Sequence, residues 1–142
     1  GGWWAPAGEQ HRDETEELLR LVGLHASADA PCATLAYGEL KTLELAVALS
    51  GRPQLLLMDE PTAGMAPGER NALMALTREL VRERQIGVLF TEHSMDVVFA
   101  CADRIVVMAR GEVIAEAAPE EVRADARVRE VYLGATMPGA GR

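Results

Sequence analysis

The apolar positions of this 142-residue chain fall into short runs, each with one dominant period. From Asp13 to Val22, "DETEELLRLV" is acidic first and apolar later, and it meets Gly23. Acids near the positive N-terminus and a glycine after the last turn predict a short helix. "SADAPCATLAYG" reads as loop. Leu40, Leu43, Ala46, Val47 and Leu49 then recur mostly at helical spacing, predicting a helix over 39–49 that follows directly after Gly38, in a region ended by Pro53. Leu55 to Met58 is a continuous apolar run, as expected of a strand buried on both faces. After the loop "PTAGMAPGE", Leu73, Leu76, Leu80 and Val81 mark one face of a longer helix over 69–84. "IGVLFTEH" holds a second buried strand, and 94–101 a short helix. "RIVVMARGEVIAEA" alternates around Arg110 and Gly111 and predicts a hairpin. "PEEVRADARVREVYLGA" offers one or two helical turns from Pro119, and "TMPGAGR" reads as a frayed end.

Strand, helix and strand in that order form a βαβ unit with two parallel strands. Asp59 and Glu60 close the first strand, and His93 follows the second. Parallel neighbours bring all three to one edge of the sheet, the edge where open α/β folds bind ligands.

Composition narrows the function. A hydrophobic fraction of 49% and a charged fraction of 25% suit one compact domain with a real core. The net charge of -8, a single lysine (Lys41) and scattered arginines argue against a nucleic-acid partner. No apolar run approaches the roughly 20 residues that span a bilayer, and no charged-then-apolar leader opens the chain. Cys32 and Cys101 lie far apart without metal-ligand spacing and read as reduced thiols. A cytoplasmic protein is expected. The opening "GGWWAPAGEQHRDE" reads as a linker or a truncated end, with Trp3 and Trp4 as apolar surface that has lost its cover.

A carboxylate directly after an apolar strand suits Mg²⁺, which prefers hard oxygen ligands. The next carboxylate can take a proton from an attacking water. "DE" alone is more often a solvated strand end, but the turn set by Pro61, Thr62, Ala63 and Gly64 raises the specificity. His93 at the same edge can donate to a phosphate oxygen. Gly38 at a helix start can lend backbone N–H groups and the helix dipole to an anion.

"LAYGE" heading a helix, then "LLLMDEPTAG", "FTEH" and "ADRIVVMARGEVI" resemble, in order and spacing, the C-terminal half of an ABC-transporter ATPase domain. The resemblance runs from about Leu18 to about Ala135. "LAYGE" is similar to the family's signature motif, "LLLMDE" to its Walker B strand, "AGMA" to its D-loop and His93 to its switch histidine. The "YGE" form, "TAGMAP", "EHSMDVV" and "EEVRADARVREVYLG" resemble the branched-chain amino-acid uptake branch most, and the lipopolysaccharide-export branch shares "VYLG".

The resemblance implies an α/β fold, the C-terminal half of a P-loop NTPase. Residues 1–12 would be a linker or truncated end and 13–52 a helical subdomain segment carrying the signature. The core half with Walker B, D-loop and switch histidine would span 53–118, and a helical tail 119–142. It implies ATP and Mg²⁺ as cofactors, with Asp59 positioning the metal through water, Glu60 polarising the attacking water and His93 contacting the γ-phosphate. Leu35, Ala36, Tyr37, Gly38 and Glu39 would complete a partner's ATP site in trans, with Gly64 and Ala66 in the D-loop. The implied partners are a second ATPase subunit, as homo- or heterodimer, transmembrane permease subunits and a substrate-binding protein. The implied location is peripheral on the inner face of the cell membrane, without insertion into it.

Three departures stand out. The P-loop pattern G-x-x-x-x-G-K-[ST] does not occur in these residues; "LAYGELKT" puts Leu35 and Leu40 at its two glycine positions. Ala36 stands where the signature commonly has serine, and Ala66 where the D-loop commonly has aspartate. This chain alone is therefore expected to be inactive. The alternatives are a non-catalytic module that pairs with an intact ATPase subunit and the ATPase of a related exporter. A DNA-repair ATPase of the same family is disfavoured by the acidic balance.

Overall fold

The computed structural model describes residues 11–133. Trp3, Trp4, most of the expected linker and the "TMPGAGR" end lie outside the described residues. Contacts divide the chain into two compact units between His93 and Ser94, where length alone suggested one compact domain.

The first unit begins with helix α1, Arg12–Leu21, and Gly23 takes the left-handed φ of 75° beyond its end. A single turn, His25–Ser27, leads into the expected loop, and a second, Cys32–Thr34, interrupts it. Helix α2 spans Tyr37–Ser50 and starts earlier than its apolar period suggests. Ala36 is the extended residue before it, and the Glu39 side chain accepts the Ala36 N–H at 2.9 Å. That carboxylate satisfies one of the donors a helix start otherwise leaves open. Gly38 is consequently the second residue of the helix.

Strand β1, Leu55–Asp59, is followed by helix α3, Pro67–Arg84, and strand β2, Gly87–Thr91. Helix α3 repeats the start of α2: Glu69 accepts the Ala66 N–H at 3.1 Å, with Pro67 as first helical residue. The two strands pair in parallel, Leu55 opposite Gly87 through Asp59 opposite Thr91, as the βαβ reading predicts.

The expectation that both strands are buried on both faces is corrected. Leu56, Met58 and Val88 join a core with Leu45, Leu49, Leu73 and Leu80. Leu55, Leu57 and Leu89 are 55%, 68% and 62% exposed. Alternate side chains point to opposite faces, and among the described residues only one face is covered.

The second unit holds helix α4, Met95–Cys101, and the antiparallel strands β3, Ile105–Ala109, and β4, Glu112–Ala117. Arg110 and Gly111 both have positive φ, the geometry of the tight two-residue hairpin turn the pattern predicts. A bulge between Val107 and Met108 shifts the register. Helices α5, Pro119–Ala124, and α6, Ala126–Val128, pack on β4, with Val122 and Val128 almost fully buried. The Tyr132 hydroxyl donates to the Met108 carbonyl.

Candidate functional site

The edge at the C-terminal ends of β1 and β2 is built around one strained residue. Glu60 leaves the strand with φ of 44°, a left-handed conformation that costs a non-glycine residue about 1–2 kcal/mol. Local bonds hold it there. Its N–H donates to the Thr91 carbonyl at 3.0 Å and to the Thr91 hydroxyl at 3.1 Å. Its carbonyl accepts the Ala63 N–H at 3.0 Å, and the Met65 N–H donates to Thr62 at 3.2 Å. Gly64, with φ of 75°, supplies the backbone freedom the turn needs before α3.

Thr91, the last residue of β2, and the two residues that follow it each grip this turn. The Thr91 hydroxyl donates to Asp59 Oδ1 at 2.5 Å. Glu92 Oε1 accepts both the Thr62 N–H at 2.9 Å and the Thr62 hydroxyl at 2.5 Å. His93 Nε2 lies 2.9 Å from Glu60 Oε1. The His93 side chain is 83% exposed and that of Glu60 44%, so the pair faces open solvent. Asp59, Glu60 and His93 thus share one edge, and Glu60 and His93 touch.

The stretch 35–39 lies at the start of α2, beside the same turn. The Tyr37 hydroxyl donates to the Ala63 carbonyl at 3.1 Å, and a Cβ on Gly64 would meet the Tyr37 ring at 3.6 Å. A Cβ on Gly38 would stand only 3.0 Å from Glu69 Oε1, so this glycine admits the close approach of α3. The start of α2 is therefore already faced by two carboxylates, Glu39 and Glu69. Leu35 is half-buried, Ala36 is exposed, and Ala66 caps α3 without a side-chain bond.

A cavity of about 200 Å³ reaches Asp59 and is lined also by Lys41, Glu44, Leu56 and Met58. Lys41 Nζ binds Glu44 Oε2 at 2.9 Å, and this bond raises the Lys41 pKa above its ordinary value. Asp59 is exposed and has a hard oxygen to offer. No group of three or more His, Cys, Asp or Glu among the described residues is placed to hold a metal. A lone exposed carboxylate of this kind suits a hard cation such as Mg²⁺ that would keep most of its own waters, rather than one held by protein alone.

Thr62 was read as part of the turn, but its bonds to Glu92, and the bond of Thr91 to Asp59, escaped sequence reasoning. These bonds span 30–32 residues and leave no local pattern. The signal available was the parallel register itself, which sets Asp59 opposite Thr91.

A family model described as "ABC transporter" matches residues 6–63, and one described as "Branched-chain amino acid ATP-binding cassette transporter" matches residues 112–136. The high-affinity branched-chain amino acid transport ATP-binding protein BraF of Pseudomonas aeruginosa is 41% identical over 90 residues, 63% of this chain and 35% of BraF. The methionine import ATP-binding protein MetN of Rhizobium etli is 36% identical over 102 residues, covering 72% of this chain and 28% of MetN. The branched-chain protein LivG of Salmonella typhimurium is 36% identical over 96 residues, covering 68% of this chain and 38% of LivG. The crystal structure of the ADP conformation of MJ1267, an ATP-binding cassette of an ABC transporter, superposes with a TM-score of 0.81 at 31% identity. It covers 94% of this chain and 54% of that one. The chain spans about a third of the length of these curated relatives and about half that of the solved cassette.

Proposed function

Because this chain belongs to the ATP-binding subunits of ABC transporters, we propose that it is the C-terminal portion of an importer's ATP-hydrolysing subunit. The observation that carries this reading is the pairing of Glu60 with His93 at 2.9 Å, beside Asp59, on the edge where parallel strands end. Glu60 would take the proton of the attacking water, and His93 would orient Glu60 and meet the terminal phosphate. Asp59 would hold Mg²⁺ through water; the ion, when bound, offsets phosphate charge. Residues 35–39 would close over the nucleotide of a partner subunit. Since Ala36 brings no hydroxyl, that contact would rest on backbone donors. Gly64 and Ala66 would shape the turn that faces the partner.

Branched-chain amino acids are the proposed cargo class. The match of residues 112–136 to the branched-chain model and the likeness to BraF and LivG support it. The permease and binding-protein partners, and a peripheral place on the inner membrane face, follow from the same reading. No described helix is long and apolar enough to cross a membrane.

The 142 residues contain no phosphate-cradling glycine loop, so the chain by itself is proposed to hydrolyse no ATP. Turnover by the purified chain that disappears in Glu60→Gln would overturn that statement. The positive test replaces the matching segment of BraF with this chain. The chimera is expected to hydrolyse ATP, and Glu60→Gln to slow it by about 10² to 10⁴-fold, the usual worth of a general base. A chimera that is equally fast with Glu60→Gln would sink the assignment. The same missing loop favours a second reading, a non-catalytic module that binds an intact ATPase subunit. ATP-dependent pull-down of intact BraF by this chain would support it, and no association under any condition would exclude it.

A further inference from the structure

We propose that Glu92 is a positioning residue that aims Glu60 at its working place. Thr62 is 3% exposed, and both of its donors go to a single oxygen, Glu92 Oε1, at 2.9 and 2.5 Å. A buried hydroxyl and N–H without that acceptor would be left unpaired, so the carboxylate is needed for the turn to close as it does. Thr62 lies two residues after Glu60. On its other flank, Asp59 and the Glu60 N–H are held by Thr91. The strained residue is thus pinned from both sides by the neighbouring residues Thr91 and Glu92. What remains adjustable is the Glu60 side chain, and it meets His93, the next residue along.

Glu92 bonds to Thr62, two residues after Glu60, so it acts on Glu60 through the turn. Its place is distinct from the pair it serves: Glu60 and His93 face solvent, whereas the Thr62–Glu92 bonds are partly buried. The consequence for hydrolysis rests on the proposed role of Glu60 as base; the coupling itself does not.

The test therefore has two arms. In the first, the isotopically labelled full chain is studied by NMR without nucleotide. Glu60→Gln is expected to shift the His93 ring signals in the native background, and that shift is expected to be lost in a Glu92→Ala background. Amide exchange at Thr62 should rise about tenfold or more in Glu92→Ala, the worth of a hydrogen bond to a charged group. Glu92→Gln, which keeps an acceptor oxygen, should restore the Glu60–His93 coupling. Thr62→Val removes only the hydroxyl bond, should weaken the coupling partway, and decides the matter if Glu92→Ala does not fold. Undiminished coupling in Glu92→Ala or in Thr62→Val would overturn the proposal and leave Glu92 as a stabiliser of the turn. In the second arm, the BraF chimera with Glu92→Ala should lose kcat at unchanged KM, and Glu92→Gln should regain it. If the first arm succeeds while Glu60→Gln leaves turnover intact, the base assignment fails and the positioning by Glu92 stands.

Discussion

Glu60 carries a side chain where the backbone favours none, and that conflict can be measured. Its φ of 44° places it among the few described non-glycine residues in the left-handed region. Both Glu60→Ala and Glu60→Gly delete the carboxylate and its contact with His93, so the difference between them isolates the backbone. An L-residue in this conformation costs about 1–2 kcal/mol. Glycine escapes that cost but loses about 0.5–1 kcal/mol through its freer unfolded chain. Glu60→Gly is therefore expected to exceed Glu60→Ala in stability by about 0.5–1 kcal/mol. The opposite order is expected at Glu79, an exposed position inside α3, where alanine should exceed glycine by about 1 kcal/mol. Urea unfolding followed by far-ultraviolet circular dichroism gives both differences, provided the slope is unchanged within each pair. An alanine variant at position 60 as stable as the glycine variant would refute the strain. If the order reverses as expected, the side chain is kept at a cost to the fold, as at sites where strained geometry serves chemistry.

Other perturbations give simpler outcomes. Leu80 is 2% exposed in the core of the first unit, and Leu80→Ala should cost about 2–5 kcal/mol in urea unfolding. Tyr37→Phe removes the hydroxyl that holds the Ala63 carbonyl and should cost about 0.5–1 kcal/mol, with faster amide exchange confined to residues 61–66. The exposed leucines 55, 57 and 89 should make the chain associate as its concentration rises. Leu57→Ser should shift sedimentation toward the monomer, and identical sedimentation of both proteins would exclude this face. Lys41 has a pKa raised above 10.5, chiefly by its bond to Glu44. A base with a raised folded-state pKa contributes stability that is full below 10.5 and lost as pH climbs through the folded value. The stability gap between the native chain and Lys41→Met should therefore hold from neutral pH to about 10 and narrow above it.

The βαβ order was legible because its signals are local: an apolar run, a helical period, a second run. The hairpin was legible from Arg110 and Gly111, since few residue pairs accept two positive φ angles in succession. The helix starts were misjudged for a nameable reason. Ala36-Tyr37-Gly38-Glu39 and Ala66-Pro67-Gly68-Glu69 share one pattern, a glutamate three residues after the extended alanine. In both, the carboxylate turns back to the alanine N–H. Reading apolar periodicity alone starts each helix two residues late. The Thr62–Glu92 and Thr91–Asp59 bonds were hidden because nothing near either partner in sequence announces the other.

The continuous apolar run at 55–58 remains the most informative disagreement. A strand that met solvent on one face would ordinarily alternate apolar with polar residues, yet Leu55 and Leu57 occupy its open face. Covering three leucines would remove apolar area worth about 1.5–3 kcal/mol for each fully buried side chain. The residues therefore encode a second covering layer that the described part of the chain does not provide. The same open face continues past Leu57 to Asp59, the end of the strand. A layer that buries both Leu55 and Leu57 therefore ends beside the sheet edge that carries Asp59, so packing of this face and access to that edge are coupled.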